Sequence, residues 1–94
     1  MKVEFDPVKR DRTLKDRGLD MARANEIFAD ETLTVADDRR DYGESRHITI
    51  GFLDARMVVV VWTPRAGAFR IVSMRKANDR EQSLYGPRFS GRRP

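Results

Sequence analysis

Basic side chains cluster around one predicted strand-to-helix junction, in the stretch RIVSMRKANDRE at residues 70–81. Arg70, Arg75, Lys76 and Arg80 all lie within it. Arginine suits phosphate oxygens because it stays charged and its planar fork donates two parallel hydrogen bonds. A helix that begins here adds free backbone N–H groups and a partial positive charge. The junction is therefore a candidate phosphate-binding site, although a merely solvated surface would carry the same charges.

The alternation of side chains along the strand decides which of them such a site could use. If residues 69–74 form a strand, Val72 and Met74 face the core, while Ser73 and Arg75 face outward across the sheet. Arg75 would then end the strand at the point where the last helix begins. We therefore expect Arg75 at the centre of the candidate site.

Further basic and aromatic residues come from neighbouring predicted elements: a turn after the long apolar strand, the start of the strand HITIGF, and the final helix. With these, the full candidate set is Arg46, His47, Arg65, Arg70, Arg75, Lys76, Arg80 and Tyr85. His47 is more typical of a structural residue than of a catalyst, and Tyr85 is slightly more typical of a residue that packs the helix than of one that does chemistry.

Composition narrows the classes of function. The chain has 94 residues, enough for one small domain, and a net charge of +4. Residues 63–94 hold 8 basic against 2 acidic residues, so the positive charge lies in the last third and favours an anionic partner there. With no cysteine and one histidine, a zinc site is not expected and we expect neither metal nor cofactor. No signal peptide or membrane span is expected, which predicts a cytoplasmic protein.

Capping residues and hydrophobic periodicity predict the elements that position these side chains. Asp6-Pro7 begins a first helix that ends near Arg17 before Gly18, and Asp20 begins a second that ends near Ala29. The strands are predicted at Leu33 to Val35, in HITIGF, in MVVVVW and from Phe69 to Met74, with a further short one at Val3 to Phe5. Asn78 and Glu81 have the spacing of a capping box that begins a third helix.

These elements predict an α+β domain with two N-terminal helices packed on a three- to four-stranded antiparallel sheet, followed by a C-terminal helix. One face of the sheet would pack on the helices, which leaves the other face free to form a groove. We expect the domain to cover residues 1–86. Residues 87–94 (PRFSGRRP) show no hydrophobic periodicity and are predicted to be a flexible basic tail.

The order of short motifs resembles the BrnT family of toxins from bacterial type II toxin–antitoxin systems. The similarity spans about residues 2–85, and its motifs are KVEFDPVK, LKDRG, ANEIFAD, GESRHITIG, VVVVWT and RIVSMRKANDRE. The chain departs from the usual family pattern in having Phe5 for tryptophan, Arg17 for histidine and Pro64 for a glutamate. The last change places no carboxylate base before Arg65, whereas the arginine at Arg75 is kept.

The resemblance implies a RelE-like fold and a metal-independent endoribonuclease that cleaves RNA to inhibit translation, with mRNA, either free or on the ribosome, as the expected substrate. It also implies a cognate BrnA-like antitoxin with a ribbon-helix-helix DNA-binding part. The expected complex has two toxins and two antitoxins, and it contacts operator DNA only through the antitoxin.

On this reading, catalysis needs a base for the 2′-hydroxyl, a positive clamp on the phosphate and an acid for the leaving oxygen. We predict that Arg65 and Arg75 hold the scissile phosphate with support from Arg80. Tyr85 or Lys76 would donate the proton, and His47 is a weaker candidate base. Arg46, His47, Arg70 and Lys76 would bind RNA more generally.

Two other classes of function use the same basic surface. A non-catalytic nucleic-acid-binding module would bind RNA in a salt-sensitive way without cleaving it. A protein-interaction domain would dock its basic third on an acidic partner. Cleavage of RNA by the purified protein separates the ribonuclease from both alternatives.

Overall fold

A computed structural model describes residues 2–90 of the chain, which form three α-helices, two short 3₁₀ turns and a five-stranded sheet. The strands are β1 (Val3–Glu4), β2 (Leu33–Ala36), β3 (His47–Leu53), β4 (Arg56–Arg65) and β5 (Ala68–Lys76). The helices are α1 (Pro7–Arg17), α2 (Ala24–Phe28) and α3 (Asp79–Tyr85), with 3₁₀ turns at Met21–Arg23 and Gly86–Arg88. None of the described helices is long and apolar enough to cross a membrane.

Side-chain caps set the helix boundaries close to where the sequence predicts them. The Asp6 carboxylate accepts a hydrogen bond from the Val8 N–H, and α1 ends at Gly18, whose φ of 69° is costly for any residue with a Cβ. At α3, the Asn78 side chain accepts from the Glu81 N–H and the Glu81 carboxylate accepts from the Asn78 N–H. The predicted capping box is thereby confirmed.

The sheet is mixed rather than purely antiparallel, and it has five strands in the order β1-β5-β4-β3-β2. The three longest strands form the predicted antiparallel meander, with β4 at the centre. The prediction of an antiparallel-only sheet is wrong because β1 pairs in parallel with β5, through Val3 with Phe69 and Glu4 with Arg70. The connection between these two strands contains both N-terminal helices and strands β2 to β4, so it is long enough for a parallel pairing.

The two faces of the sheet are covered to different extents. On one face, α1, α2 and the turn between them enclose a core that includes Met21, Ile27, Val60 and Met74. The other face was expected to be free of helices, but α3 and the turn after it cover one end of that face. Phe89 packs there edge-on against Phe52, with ring centroids 5.1 Å apart. The remaining part of this face stays open.

A β-bulge changes the alternation in β5 from the one predicted. The register shifts between Val61 and Trp62, which pair with Ser73 and Ile71. Ile71 and Met74, three positions apart, consequently lie in the same buried core, and Ile71 takes the core position predicted for Val72. The bulge keeps Ser73 and Arg75 on the outer face, as the simple alternation also predicted.

The folded part extends past residue 86, where the sequence predicts a flexible tail. Residues 86–88 form a 3₁₀ turn, Phe89 is 3% exposed, and the Ser90 N–H donates to the Glu31 carboxylate. The boundary therefore moves to at least residue 90, because a buried phenylalanine anchors the segment. The rest of the predicted tail, residues 91–94, lies outside the described residues.

Candidate functional site

The open part of the second sheet face forms a groove of about 280 Å³ between the loop after β2 and helix α3. Its floor is apolar and its rim is charged, so a ligand there would meet both flat hydrophobic surface and fixed positive groups. The lining residues are Val35, Arg39, Ile48, Ile50, Val59, Val61, Ser73, Arg75, Glu81 and Tyr85. We call this the Arg75 groove.

Arg75 is the best-positioned cation of the groove. Its two terminal nitrogens donate to the two Glu81 carboxylate oxygens, each at 2.8 Å, in a bidentate pair. Glu81 raises the pKa of the Arg75 guanidinium above its usual value, while burial and the like charge of Arg39 act in the opposite direction. Arg75 therefore stays charged, and its side chain is 45% exposed toward the groove.

Glu81 is held by three donors at once. It accepts from both Arg75 nitrogens and from the Asn78 N–H of the capping box. The hydrogen bonds from Arg75 are the largest cause that lowers the pKa of Glu81 to about 2. The cap of α3 thus serves a second purpose: it aims a carboxylate that fixes the orientation of Arg75.

A second arginine reaches the groove from the loop after β2. Arg39 is anchored by Asp37, whose buried carboxylate accepts from Arg39 Nε at 2.7 Å and from Nη2 at 2.8 Å. Those bonds are the main reason that the pKa of Asp37 falls to about 2. The Tyr42 hydroxyl donates to the same carboxylate at 3.3 Å. Arg39 is therefore a pre-positioned cation, although its side chain is 69% exposed.

Two hydroxyl groups complete the polar lining of the groove. Ser73 comes from β5, two residues before Arg75 on the same face of the strand, and Tyr85 comes from the last turn of α3. The Tyr85 ring also packs against the second hydrophobic core, which lies on the groove face of the sheet around Phe52 and Phe89. This packing limits the positions of the Tyr85 hydroxyl. Within residues 2–90, no three histidine or acidic side chains converge as metal ligands would.

Arg65 does not share the groove with Arg75. Arg75 pairs with Val59, whereas Arg65 ends β4 six positions further on, where it pairs with Ala68. Six residues of strand span roughly 20 Å, so the two guanidinium groups lie at opposite ends of the sheet. Arg70 lies between them, half-buried opposite Thr63.

The residues predicted at the start of β3 lie elsewhere. His47 stacks on Trp62 with ring centroids 4.6 Å apart, on the helix-covered face of the sheet and not on the groove face. Arg46 lies with its guanidinium 4.0 Å above the Tyr42 ring and bonds to Glu44. Both residues thus have structural partners away from Arg75.

The remaining two candidates are near the junction but outside the groove. Lys76 pairs with Val58, which is a core residue of the helix-covered face, and it lines a separate small pocket beside Arg56. Arg80 is exposed on α3, one residue before Glu81. Of the eight predicted site residues, only Arg75 and Tyr85 line the Arg75 groove.

Sequence reasoning missed Arg39 and the pairing role of Glu81. Arg39 lies in a polar, aperiodic loop that shows no motif, and the sequence indicates for Glu81 only the role of a helix cap. The spacing Asp37-x-Arg39 was the available signal for the first, since an aspartate two residues away can hold an arginine in place. No local signal indicates that a cap residue of α3 faces a strand end.

The sequence profile of a family described as "Ribonuclease toxin, BrnT, of type II toxin-antitoxin system" matches residues 5–81. A comparison with curated proteins gives no match. The matched range contains β2 to β5, the loop with Arg39, and both members of the Arg75–Glu81 pair. A match over most of the chain establishes the relationship, and the chain therefore belongs to the BrnT family of ribonuclease toxins of type II toxin–antitoxin systems.

Proposed function

We propose that this protein is an endoribonuclease that cleaves RNA in the Arg75 groove and so inhibits translation and growth. The observation that carries the proposal is the groove itself, where two anchored arginines and a tyrosine hydroxyl surround an open apolar floor. Flat apolar surface accepts a base, while Arg39 and Arg75 accept the phosphate beside it. We further propose that the small α+β fold is RelE-like.

In the proposed mechanism, Arg75 and Arg39 stabilise the charge that builds on the phosphate during attack by the 2′-hydroxyl. Two guanidinium groups suit this step because each remains charged and donates in a fixed plane. Tyr85 is the proposed acid: its hydroxyl gives a proton to the leaving 5′-oxygen. Arg65 at the end of β4 and Arg70 in β5 lie away from the groove and would contact only other parts of a longer RNA.

Glu81 is the proposed base, acting only after RNA binds. In the free protein its low pKa makes it a poor proton acceptor, and Arg75 is the main cause of that low value. A phosphate that takes the hydrogen bonds of Arg75 removes this cause, so the Glu81 pKa rises toward its ordinary range. Glu81 is the only carboxylate among the residues that line the groove, and it can then accept the 2′-hydroxyl proton.

An Arg75→Gln variant tests the proposal directly. We expect its RNA cleavage rate to fall by about 10²–10³, because one transition-state contact is lost. Arg80→Gln is the matched control: Arg80 lies in the same segment, has the same charge and is outside the groove, so its rate should stay within a few fold. The measurement is cleavage of a fluorescent RNA by purified protein, with folding checked by circular dichroism.

Two results would contradict this assignment. If Arg75→Gln cleaved RNA as fast as the wild type, the groove would not be the active site. If the wild type bound RNA in a salt-sensitive way but never cleaved it, the protein would be a binding module. Unchanged activity in a chelator is expected, since the proposed steps use only side chains.

We also propose a cognate antitoxin of the BrnA type, with a ribbon-helix-helix part that contacts operator DNA, in a complex of two toxins with two antitoxins. The support is the family relationship, which names a type II toxin–antitoxin system. Co-expression with the product of an adjacent small open reading frame, followed by purification and mass measurement, tests both the partner and the stoichiometry.

A further inference from the structure

A second groove lies on the other side of β5, between that strand and α1, with a volume of about 250 Å³. Three of its lining residues are cations and none is acidic. The full lining is Lys9, Arg12, Thr13, Arg17, Met21, Val72 and Ser73. We call it the α1 groove.

The cations of the α1 groove form no ion pair with a carboxylate within the described residues, unlike Arg10, Arg23 and Arg75. Arg10 and Arg23 form bidentate or paired contacts with carboxylates. Lys9 and Arg12 are exposed and form no ion pair within residues 2–90. Arg17 donates one N–H to the Met74 carbonyl, which fixes its side chain and leaves further donors for a ligand.

Ser73 joins the two grooves, because it lines both of them. The junction is accessible since β1 pairs only with Phe69 and Arg70, so the later part of β5 has no strand partner on that side among the described residues. The β-bulge at Val72 lies at this same point of the edge. The two grooves therefore form one path that crosses the free edge of β5.

The chemistry of the path suits a phosphate backbone. From Lys9 to Arg17 the helix rises roughly 12 Å, so the cations form a row rather than a single point. A row of lysine and arginine side chains can bind the phosphates that repeat along a nucleic-acid strand, whatever the base sequence of that strand. A protein partner would need apolar anchors at the centre of its interface, and here Met21 is buried and only Val72 is partly accessible.

We infer that the α1 groove is a second binding site for the RNA strand, holding phosphates that flank the one cleaved in the Arg75 groove. This inference rests on the proposed ribonuclease function, since it extends the substrate from that groove across the edge of β5. It assigns to Lys9, Arg12 and Arg17 a role in binding long RNA, distinct from the chemical step.

A double variant, Lys9→Gln with Arg12→Gln, tests the inference. For a single-stranded RNA of about 20 nucleotides, we expect KM to rise roughly tenfold with kcat unchanged. The slope of log affinity against log salt should fall by about 1.4, because each lost phosphate contact removes about 0.7. Cleavage of a dinucleotide should be unchanged, since it is too short to reach the α1 groove.

The matched control is Lys15→Gln with Arg56→Gln, which removes the same charge from exposed positions outside both grooves. Binding is measured with 2′-O-methyl RNA, which cannot be cleaved, so the salt slope reports on the path even if the protein is not a nuclease. If the double variant and the control had equal slopes, the inference would be wrong while cleavage lost in Arg75→Gln still supported the proposed function.

Two further outcomes are distinguishable. If the wild type cleaved no RNA but the slope fell only in the Lys9 and Arg12 variant, the binding path would stand and the proposed catalysis would fail. If that variant lost affinity for polyglutamate and not for RNA, the α1 groove would bind an acidic protein, and the inference would be overturned.

Discussion

Arg75 and Glu81 form a pair whose two members would separate when RNA binds. The bidentate contact orients Arg75 before the substrate arrives, and it keeps Glu81 ionised. In the free protein the Glu81 carboxylate takes the two parallel hydrogen bonds of Arg75 that a phosphate would take in the proposed complex. The same contact contributes to folding stability, so its titration can be measured without any substrate.

Stability should depend on pH through Glu81. Its folded-state pKa of about 2 lies below its ordinary value of 4.5. Its contribution is therefore complete above pH 4.5 and is lost as the pH falls from there toward 2. We expect Glu81→Gln to be less stable than the wild type at pH 7 by about 1 kcal/mol, after allowance for solvent screening.

The measurement is urea unfolding at pH 7, 5, 4 and 3, where the difference between the two proteins should shrink toward zero as the pH falls. Glutamine keeps an acceptor for the Asn78 N–H, so the capping bond is largely preserved. Asp37, whose pKa is also about 2, titrates in both proteins and cancels in the comparison. A difference that stayed constant with pH would show that the Glu81 charge adds nothing to stability.

At the scale of elements, Gly51 decides how closely α2 approaches the sheet. A Cβ on Gly51 would lie 2.7 Å from Ile27 Cγ2, which is closer than carbon atoms in contact allow, and 3.2 Å from Thr32 Cγ2, which is a tight contact. Ile27 is fully buried and branched at Cβ, so it cannot move aside freely. The glycine is therefore needed for its lack of a side chain, and not for any unusual backbone angle.

We expect Gly51→Ala to destabilise the protein by about 1–3 kcal/mol through overpacking. Ile27→Ala alone should cost about 2–5 kcal/mol because it leaves a cavity. The double variant should be less destabilised than the two single changes together, since removing Cγ2 makes space for the new methyl group. Strict additivity in thermal or urea unfolding would mean that the Gly51–Ile27 contact does not limit the packing.

At the scale of the whole molecule, the segment of residues 86–90 after α3 closes the hydrophobic core on the groove face of the sheet. Phe89 is 3% exposed and packs against Phe52, so residues after α3 belong to the fold. Phe89→Ala should cost about 3–5 kcal/mol and lower Tm by at least 12 °C. Leu84→Ala is the control, because Leu84 is 60% exposed on the adjacent helix. Equal Tm values for the two variants would mean that Phe89 does not stabilise the fold. The sequence-based prediction of a flexible tail would then be right.

Much of the fold could be predicted because it depends on neighbours in the chain. The caps at Asp6, Gly18 and Asn78 act within a few residues, and the run MVVVVW marks a strand buried on both faces by its composition alone. The parallel pairing of β1 could not be predicted in this way. A two-residue strand carries almost no pattern, and its partner is distant in sequence.

The candidate site likewise contains residues that local sequence pattern predicts and residues that only contacts between distant segments bring together. Amino-acid type and alternation were enough to predict that Arg75 and Ser73 face outward at the end of β5, because the pleat places them there whatever the strand packs against. Only the tertiary structure decided which other residues join them. Arg39 and Tyr85 reach the groove, and Arg65 and His47 do not, because strand register and loop anchoring are set by contacts between segments far apart in the chain.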